Sequence, residues 1–571
     1  MGIPFLTTFL HSHFKVQTIY KLQSSTIAID GDNLLFQLYR QTRNEIFDFF
    51  CELERISAEL KITFLFIFDG IARMQKNEEL IKRRIERISK INEAFQSPLQ
   101  LERGTVFPYA FERFIVNLIH AHNFEIKRAI HEGDELINLL INERKVSTVI
   151  STDSDFILSS VKYMIHVPEF VRFVLRSYKK FCEGKRWVTL KMIQPYEIKR
   201  DVLKLFSPQE LSLFAVLAGN DYSKSFVKEL CKELHLSTGE KDGVEVDINS
   251  KFYDILSFIK QMKSDNICHY MKSVLSPELY IKFNQAFEET EQVMGRTKED
   301  VDDIIEHIDK ELFFNGTKYY SITLRGLRKE FIIYPEVFGN TERKSIFVIT
   351  QQLRGIIYGF LLGKTEVEEH IQIGKSLEKI TTQTVQLISL DKLKTISLQE
   401  KIDLLINQLF TEIHESNEII KLKTYISTIL LDNESMNDDF DTWKIVLLIT
   451  LFYLKQYGDY SQLELVKCFT SWIYNIYKGK ESVVQQTKDS RESIHMFSAC
   501  QVVFFCLYEL FIDYFNMNQS MFRTLYVPPL EFCNCYDTVS LSTFKLASEI
   551  GLIDIIEIFD SILYPLEWFK K

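Results

Sequence analysis

Between His131 and Phe156 the sequence HEGDELINLLINERKVSTVISTDSDF carries two pairs of carboxylates. Glu132 and Asp134 open a segment whose Leu136, Ile137, Leu139, Leu140 and Ile141 have the spacing of a helix with one buried face, which places both acids in its first turn. The positive end of the helix dipole stabilises negative charge there. Asp153 and Asp155 follow Ser147-Thr148-Val149-Ile150-Ser151, a β-rich run too short for a helix, and residues two apart on an extended chain project to the same side. Each pair therefore aims its charge one way. Four carboxylates brought close repel one another, and the repulsion is relieved by protonating one of them or by binding a hard cation through oxygen ligands.

These acids need a frame. Thr26–Asp30 (TIAID) and Thr63–Asp69 (TFLFIFD) each read as a short apolar strand that ends in an acid and is followed by glycine, Gly31 and Gly70. Adding Phe124–Ala129, Ser147–Ser151 and Lys162–Val167, with helical stretches between them, gives an α/β domain with a mainly parallel sheet. In such sheets functional groups collect beyond the carboxyl ends of the strands. Asp30, Asp69, Asp153 and Asp155 occupy strand ends on this reading, and they can converge with Glu132 and Asp134. A further acid, Asp221, follows the helix-like LSLFAVLA in Gly219-Asn220-Asp221-Tyr222. Taken singly, each Asp-Gly is as well explained by a turn and each acid by a solvated surface position.

Taken together and in order, the motifs resemble the flap endonuclease and XPG superfamily of structure-specific nucleases. They are MGI at the start, AIDG at Ala28 to Gly31, FDG at Phe68 to Gly70, the E-x-D of Glu132 and Asp134, the D-x-D of Asp153 and Asp155, and GNDY at Gly219 to Tyr222. The resemblance implies a PIN-like, XPG-type α/β nuclease domain with a mainly parallel sheet and a helical arch. It implies that Asp30, Asp69, Glu132 and Asp134 hold one divalent ion, and that Asp153, Asp155 and Asp221 hold a second. Two Mg²⁺ or Mn²⁺ ions would then support hydrolysis of a phosphodiester, one activating water and the other stabilising the leaving oxygen. In the basic helical stretch ARMQKNEELIKRRIERISKINEAF, Lys76, Glu79-Leu80 and Arg83 match the family's K-x-x-E-L-x-x-R pattern. That match implies an arch in which Lys76 and Arg83 steer the scissile phosphate, with Arg84 and Arg87 on the same helix. Without the family, the stretch would read as an exposed helix with ordinary Glu and Lys/Arg pairs.

Residues 162–191 add Arg172, Arg176, Lys179, Lys180, Lys185 and Arg186, interleaved with Phe170, Phe173, Tyr178, Phe181 and Trp187. Basic and aromatic side chains together can hold a phosphate backbone and stack bases, although the aromatics equally suit a core. After Tyr222 the chain leaves the family pattern. The glycine-rich hairpin by which flap nucleases grip duplex DNA is replaced by SKSFVKELCKELHLS, which has no glycine. The acidic set, FAVLAGND and an unrelated long C-terminal part resemble the asteroid branch. The expected partner is DNA with single-stranded, overhanging or branched features, with RNA left open. The rival expectation is a catalytically weak or inactive scaffold of the same fold that binds nucleic acid or protein.

At 571 residues the chain exceeds what one core usually supports. We expect a nuclease-like domain over 1–235 and a mainly α-helical region over 236–571 that offers surface for protein partners. Ser237 to Asn249 reads as the boundary, and weak links fall near Lys364–Glu369, Asp432–Asp439 and Lys478–Glu492. The net charge of −10 is uneven: residues 1–230 hold 32 Lys and Arg against 28 Asp and Glu, and the remainder 36 against 50. Nine cysteines without paired CxxC spacing suit reduced thiols, and the lone Cys533–Cys535 pair falls short of a four-ligand zinc site. No secretory signal opens the sequence, so an intracellular and preferentially nuclear protein is expected. The runs Ile445–Leu454 and Phe497–Phe515 read as buried helices, not membrane spans. Gly359 to Thr365 mimics a phosphate loop but is one residue short, and it reads as helix packing followed by a helix end.

Overall fold

The computed structural model describes residues 3, 6, 9–10, 18–19, 26–41, 45–70, 77–94, 111–129, 131–184, 191–192, 194–204, 207–237, 240–241, 244–245, 248–262, 267–294, 331–333, 343–361, 365–413, 416–432, 439–461, 464–465, 467–468 and 491–511. The chain divides into two compact units. One comprises Met1–Glu78 and His122–Val301, the other Glu79–Ala121 and Asp302–Lys571.

The first unit is built on five short strands, β1 (Thr26–Asp30), β2 (Thr63–Phe68), β3 (Glu125–Arg128), β4 (Thr148–Ile150) and β5 (Tyr163–Ile165). Their order across the sheet is β3-β2-β1-β4-β5, and every neighbouring pair is parallel. The expected α/β fold with a parallel sheet is what forms. The central strands are covered on both faces, so they read as continuous apolar runs: Ile27, Ala28 and Ile29 are fully buried, as is Phe64 to Phe68. Each crossover begins beyond a carboxyl end. Helix α1 (Gly31–Gln41) follows β1, α2 (Ile46–Leu60) leads into β2, and α3 (Asn77–Ala94) and α4 (Phe111–Ala121) lie between β2 and β3 in sequence. Helix α5 (Gly133–Asn142) follows β3 and α6 (Val167–Cys182) follows β5. Helix α6 places Phe170, Val171, Phe173 and Val174 inward, where Phe170 meets Phe49 of α2 edge-on at 6.1 Å and Phe64 of β2 at 5.9 Å.

Helix α7 (Pro208–Ala218) starts on a capping box, Ser207 Oγ accepting from Glu210 N at 3.1 Å while Glu210 Oε2 accepts from Ser207 N at 2.9 Å. It ends at Gly219, whose φ of 91° is open to glycine and strained for other residues. The chain then forms one short helix, α8 (Val227–Glu233), and three more, α9 (Ile248–Gln261), α10 (Ile267–Val274) and α11 (Pro277–Val293). These last three run past the Ser237–Asn249 stretch yet belong to the first unit. Phe252, Ile255, Met271, Phe283 and Met294 share one core with Ala28, Leu65, Val149 and Phe214.

In the second unit the helices α12 (Gln351–Leu361), α13 (Leu398–Leu409), α14 (Asn417–Asp432), α15 (Asp439–Tyr457) and α16 (Arg491–Glu509) accompany a three-stranded sheet. That sheet was not expected. A hairpin, β7 (Glu366–Ile373) and β8 (Ser376–Gln383), carries β6 (Phe331–Ile333) alongside β7 in parallel, so a strand runs through the Lys364–Glu369 stretch read as a link. Gly355 and Gly359 of α12 lie against the backbone after β8: a Cβ at either would meet the carbonyl of Gln383 or Val385 at under 2.5 Å. Gly359 of the loop-like stretch therefore serves helix packing, as the sequence suggested, while Gly363 lies outside the described residues. Helix α15 carries the run Ile445–Leu454 and α16 the run from Phe497 as far as Glu509, residues 512–515 lying outside the described ones; the two helices pack on each other, and no described helix is long and apolar enough to cross a membrane. Among the described residues the cysteines form no disulfide; Cys533 and Cys535 lie outside them.

Candidate active site

The carboxyl ends of β2, β1 and β4, together with the start of α5 beyond β3, bring the acids to one edge of the sheet. Asp30 closes β1 and is buried. Its Oδ1 accepts from Asn33 N at 3.0 Å, and its Oδ2 accepts from Ser151 Oγ at 2.7 Å and from the Asn33 side-chain amide. Asp69, one residue past β2, accepts from Gly133 N at 2.7 Å and so caps the first residue of α5 from a different strand. The fit is close, since a Cβ at Gly133 would stand 3.1 Å from that same oxygen and displace it by a few tenths of an ångström. Glu132 is the N-cap residue of α5 and Asp134 the second residue of the helix, both half-buried, as the helical reading required. Asp153 caps a single 3₁₀ turn at Ser154–Ile157, Oδ1 accepting from Asp155 N at 3.0 Å. Asp155 Oδ1 in turn accepts from Ile3 N at 3.0 Å, which ties the last residue of the MGI motif to the second acid pair; Met1 and Gly2 lie outside the described residues.

Charge ties these groups together. Burial, then the charges of Asp153, Asp30 and Asp69, push the Asp134 carboxyl well above the carboxylate range. Burial, followed by the charges of Asp153 and Asp221, does the same to Asp155. Asp30 is raised to about 6, by burial first and Asp32 as well, against hydrogen bonds from Asn33 and Ser151 that oppose the rise. Metal-free, this edge is therefore electrostatically loaded. Among the described residues, however, no three His, Cys, Asp or Glu side chains form a closed ligand set. The acids are gathered but not closed around a point. Their chemistry still fits a hard divalent ion: every candidate donor is an oxygen, and like charges that raise one another's proton affinity are relieved by a cation.

Several supports were not read from the sequence. Asp32 Oδ2 accepts from Asp69 N at 3.0 Å, and Ser151 Oγ bridges Asp30 and Asp153 N. Asn220, 2 % exposed, pins the Asp221 turn: its Oδ1 accepts from Tyr222 N and Ser223 N at 3.2 Å, and its Nδ2 donates to Thr290 Oγ1 of α11 at 2.8 Å. Thr290 Oγ donates to Ala286 O, which leaves it free to accept and fixes the orientation of the Asn220 amide. Asn138, one turn beyond Asp134, donates from Nδ2 to Val293 O of the same helix at 2.7 Å. The last turn of α11 thus holds both the helix that carries Asp134 and the turn that carries Asp221. Between them lies a narrow cleft of about 10 Å³, room for about one water molecule, lined by Asp134, Asn138, Asp155, Asn220, Tyr222 and Met294 among others.

The basic residues are distributed differently. Lys76, Lys185 and Arg186 lie outside the described residues, and Arg83, Arg84 and Arg87 are half-buried on α3, in the part of that helix assigned to the second unit. Arg172, Arg176, Lys179 and Lys180 are exposed on α6. Arg172 pairs with Glu169 at 2.9 Å and Lys179 with Glu45 at 2.9 Å. At 1.5 Å per residue, a helix that starts beyond the carboxyl end of β5 carries Lys180 roughly 20 Å along its axis from that end. The interleaved aromatics separate as well: Phe170 and Phe173 are core, Trp187 is outside the described residues, and Phe181 is exposed beneath the Arg55 guanidinium at 4.5 Å.

No family model matches the chain. Among curated proteins, protein asteroid of Drosophila melanogaster is 25% identical over 194 residues, a stretch that is 31% of this chain and 22% of that protein. Solved structures that match the chain include human GEN1 in complex with Holliday junction DNA, 14% identical with a TM-score of 0.29, covering 51% of this chain and 63% of that one. They also include the catalytic core of Rad2 in complex with DNA substrate, at 14% identity and a TM-score of 0.28, covering 53% of this chain and 87% of that one. Flap endonuclease-1 from Methanococcus jannaschii is 17% identical with a TM-score of 0.28, covering 52% of this chain and the whole of that one.

Proposed function

We propose that this protein is a divalent-metal-dependent nuclease that hydrolyses phosphodiesters in DNA with single-stranded or branched features. The observation that supports this reading most is the acidic edge itself: burial and then the charges of Asp153, Asp30 and Asp69 raise the Asp134 carboxyl, and burial and then those of Asp153 and Asp221 raise Asp155, a cost that a fold without a cation has no use for. Asp30, Asp69, Glu132 and Asp134 would hold one Mg²⁺ or Mn²⁺, and Asp153, Asp155 and Asp221 a second. Bound there, the ions would activate water and stabilise the leaving oxygen. The residues of this chain would orient them: the Asn33 and Ser151 bonds hold Asp30, the Gly133 amide holds Asp69, and Asn220 holds the Asp221 turn.

A glycine-rich hairpin lets backbone amides approach a duplex closely, and the single short helix α8 in that interval offers none. Recognition would then rest on Lys76, Arg83, Arg84 and Arg87 and on Arg172, Arg176, Lys179, Lys180, Lys185 and Arg186, groups suited to a flexible strand. Nuclear residence and DNA repair are the corresponding setting. The rival reading, a nuclease-fold scaffold, is favoured by the open arrangement of the described acids. One experiment separates the two. The same labelled strand is offered alone, as an overhang and within a double flap, with and without Mg²⁺ or Mn²⁺. Metal-dependent cleavage of the single strand or overhang at least as fast as of the double flap is expected. Binding without cleavage under every condition would establish the scaffold.

A further inference from the structure

One polar atom beside the acids has no partner. Asn138 is 5 % exposed, and its Oδ1 is shut off from bulk water without a hydrogen bond, although the residue lines the cleft together with Asp134 and Asp155. The amide cannot turn over to repair this, because Nδ2 donates to Val293 O at 2.7 Å and a flip would set two carbonyl oxygens against each other. Being four residues apart on α5, Asp134 and Asn138 share one helix face. A buried acceptor of this kind is normally satisfied by protein or ordered water. Of the groups that share the cleft, the Asp134 and Asp155 carboxylates when ionised are acceptors only, Asn220 Nδ2 donates to Thr290 and the Thr290 hydroxyl to Ala286 O, and the Tyr222 hydroxyl makes no bond to Asn138 Oδ1.

We propose that Asn138 is a further, neutral member of the cation site, its Oδ1 accepting from the hydration shell of the divalent ion next to Asp134. This rests on the metal-dependent reading above and extends it to a residue outside the acidic motifs. Mg²⁺ gives up its waters reluctantly and is usually held with several in place, so a site for it needs oriented acceptors as well as charges. An amide oxygen supplies one without adding to the repulsion among the acids. Anchored to α11 through Val293, Asn138 is a positioning residue for the ion.

The test is Mn²⁺ binding to the full-length protein, followed by electron paramagnetic resonance of the free ion, with the melting temperature recorded for each variant. Wild type, Asn138→Leu and Asn138→Asp are compared. Partners of this class typically cost 10–100-fold in metal affinity when removed. Asn138→Leu should therefore weaken Mn²⁺ binding by about tenfold or more, whereas Asn138→Asp, which restores an oxygen but also loses the bond to Val293, should stay within about threefold of wild type. Equal binding by wild type and Asn138→Leu would overturn the inference while leaving the metal reading intact. Equal losses in both variants, with equally lowered melting temperatures, would overturn it in favour of a purely structural Val293 contact. Absence of Mn²⁺ binding by wild type would overturn the metal reading, and the inference with it.

Discussion

Replacing Asp30 by asparagine should stabilise the metal-free protein at pH 8 and destabilise it at pH 4. Asp30 is raised from 3.8 to about 6, so the folded state takes up its proton more readily than the unfolded state does. Its contribution is fully present below pH 4 and is lost as the pH rises through 6. A shift of about two pH units corresponds to roughly 3 kcal/mol, which ionised Asp30 costs the fold at pH 8. Asparagine removes that cost but faces two donors, Ser151 Oγ and the Asn33 side-chain amide, with an amide group that can accept from only one side. The mismatch costs about 1–2 kcal/mol at any pH. The variant should thus be more stable by about 1–2 kcal/mol at pH 8 and less stable by a similar amount at pH 4. Because two compact units unfold in one chain, the measurement should be local: hydrogen exchange in peptides that span β1 and α1, variant against wild type at each pH. A difference of constant sign from pH 4 to pH 8 would refute the electrostatic account of this edge. Excess Mg²⁺ at pH 8 should protect wild type by about 2.7 kcal/mol at a hundred times its Kd, and the variant by less.

Asp155→Ala should abolish cleavage while DNA binding survives, and so should Asp153→Asn, which keeps the cap that Asp153 forms on Asp155 N; wild-type rates in both would remove the acids from the mechanism. Lys76→Ala combined with Arg83→Ala should slow single-turnover cleavage without changing Mn²⁺ binding, and an unchanged rate would remove the arch assignment. Thr290→Val takes away the hydroxyl that accepts from Asn220, and should cost about 1–2 kcal/mol with a parallel loss of Mn²⁺ affinity, whereas Thr290→Ser should restore both. In the second unit, Arg354→Met would strand the fully buried Glu369, whose carboxyl burial alone would raise and which Arg354, Thr382 and Tyr358 together hold low. A loss of about 3–5 kcal/mol in thermal unfolding is expected, largely recovered when Glu369→Leu is added.

Strands β1 and β2 were legible because they are uninterrupted apolar runs that each end at Asp-Gly, and Asp30 and Asp69 because they close those runs. The supports were not legible, because Asn138, Asn220 and Thr290 carry no periodicity and reach partners 70 to 155 residues away. The β7–β8 hairpin was hidden for a different reason. Strand β7 buries Val367, Glu369 and Ile371 on one side, and an inward glutamate breaks the apolar alternation unless its Arg354 partner on a preceding helix is known. Among the aromatics near Arg172, only packing could tell the core residues Phe170 and Phe173 from the exposed Phe181.

The Asn138–Val293 bond joins residues 155 positions apart, so the acidic edge is assembled late in the life of a nascent chain. At the usual pace of about 5–20 residues per second, a ribosome that has just released α5 needs roughly 8–30 s to deliver the last turn of α11. During that interval Asp134 and Asp221 lack their common brace. The acidic edge therefore gains its brace only once α11 has been translated, well after the strands that carry the acids.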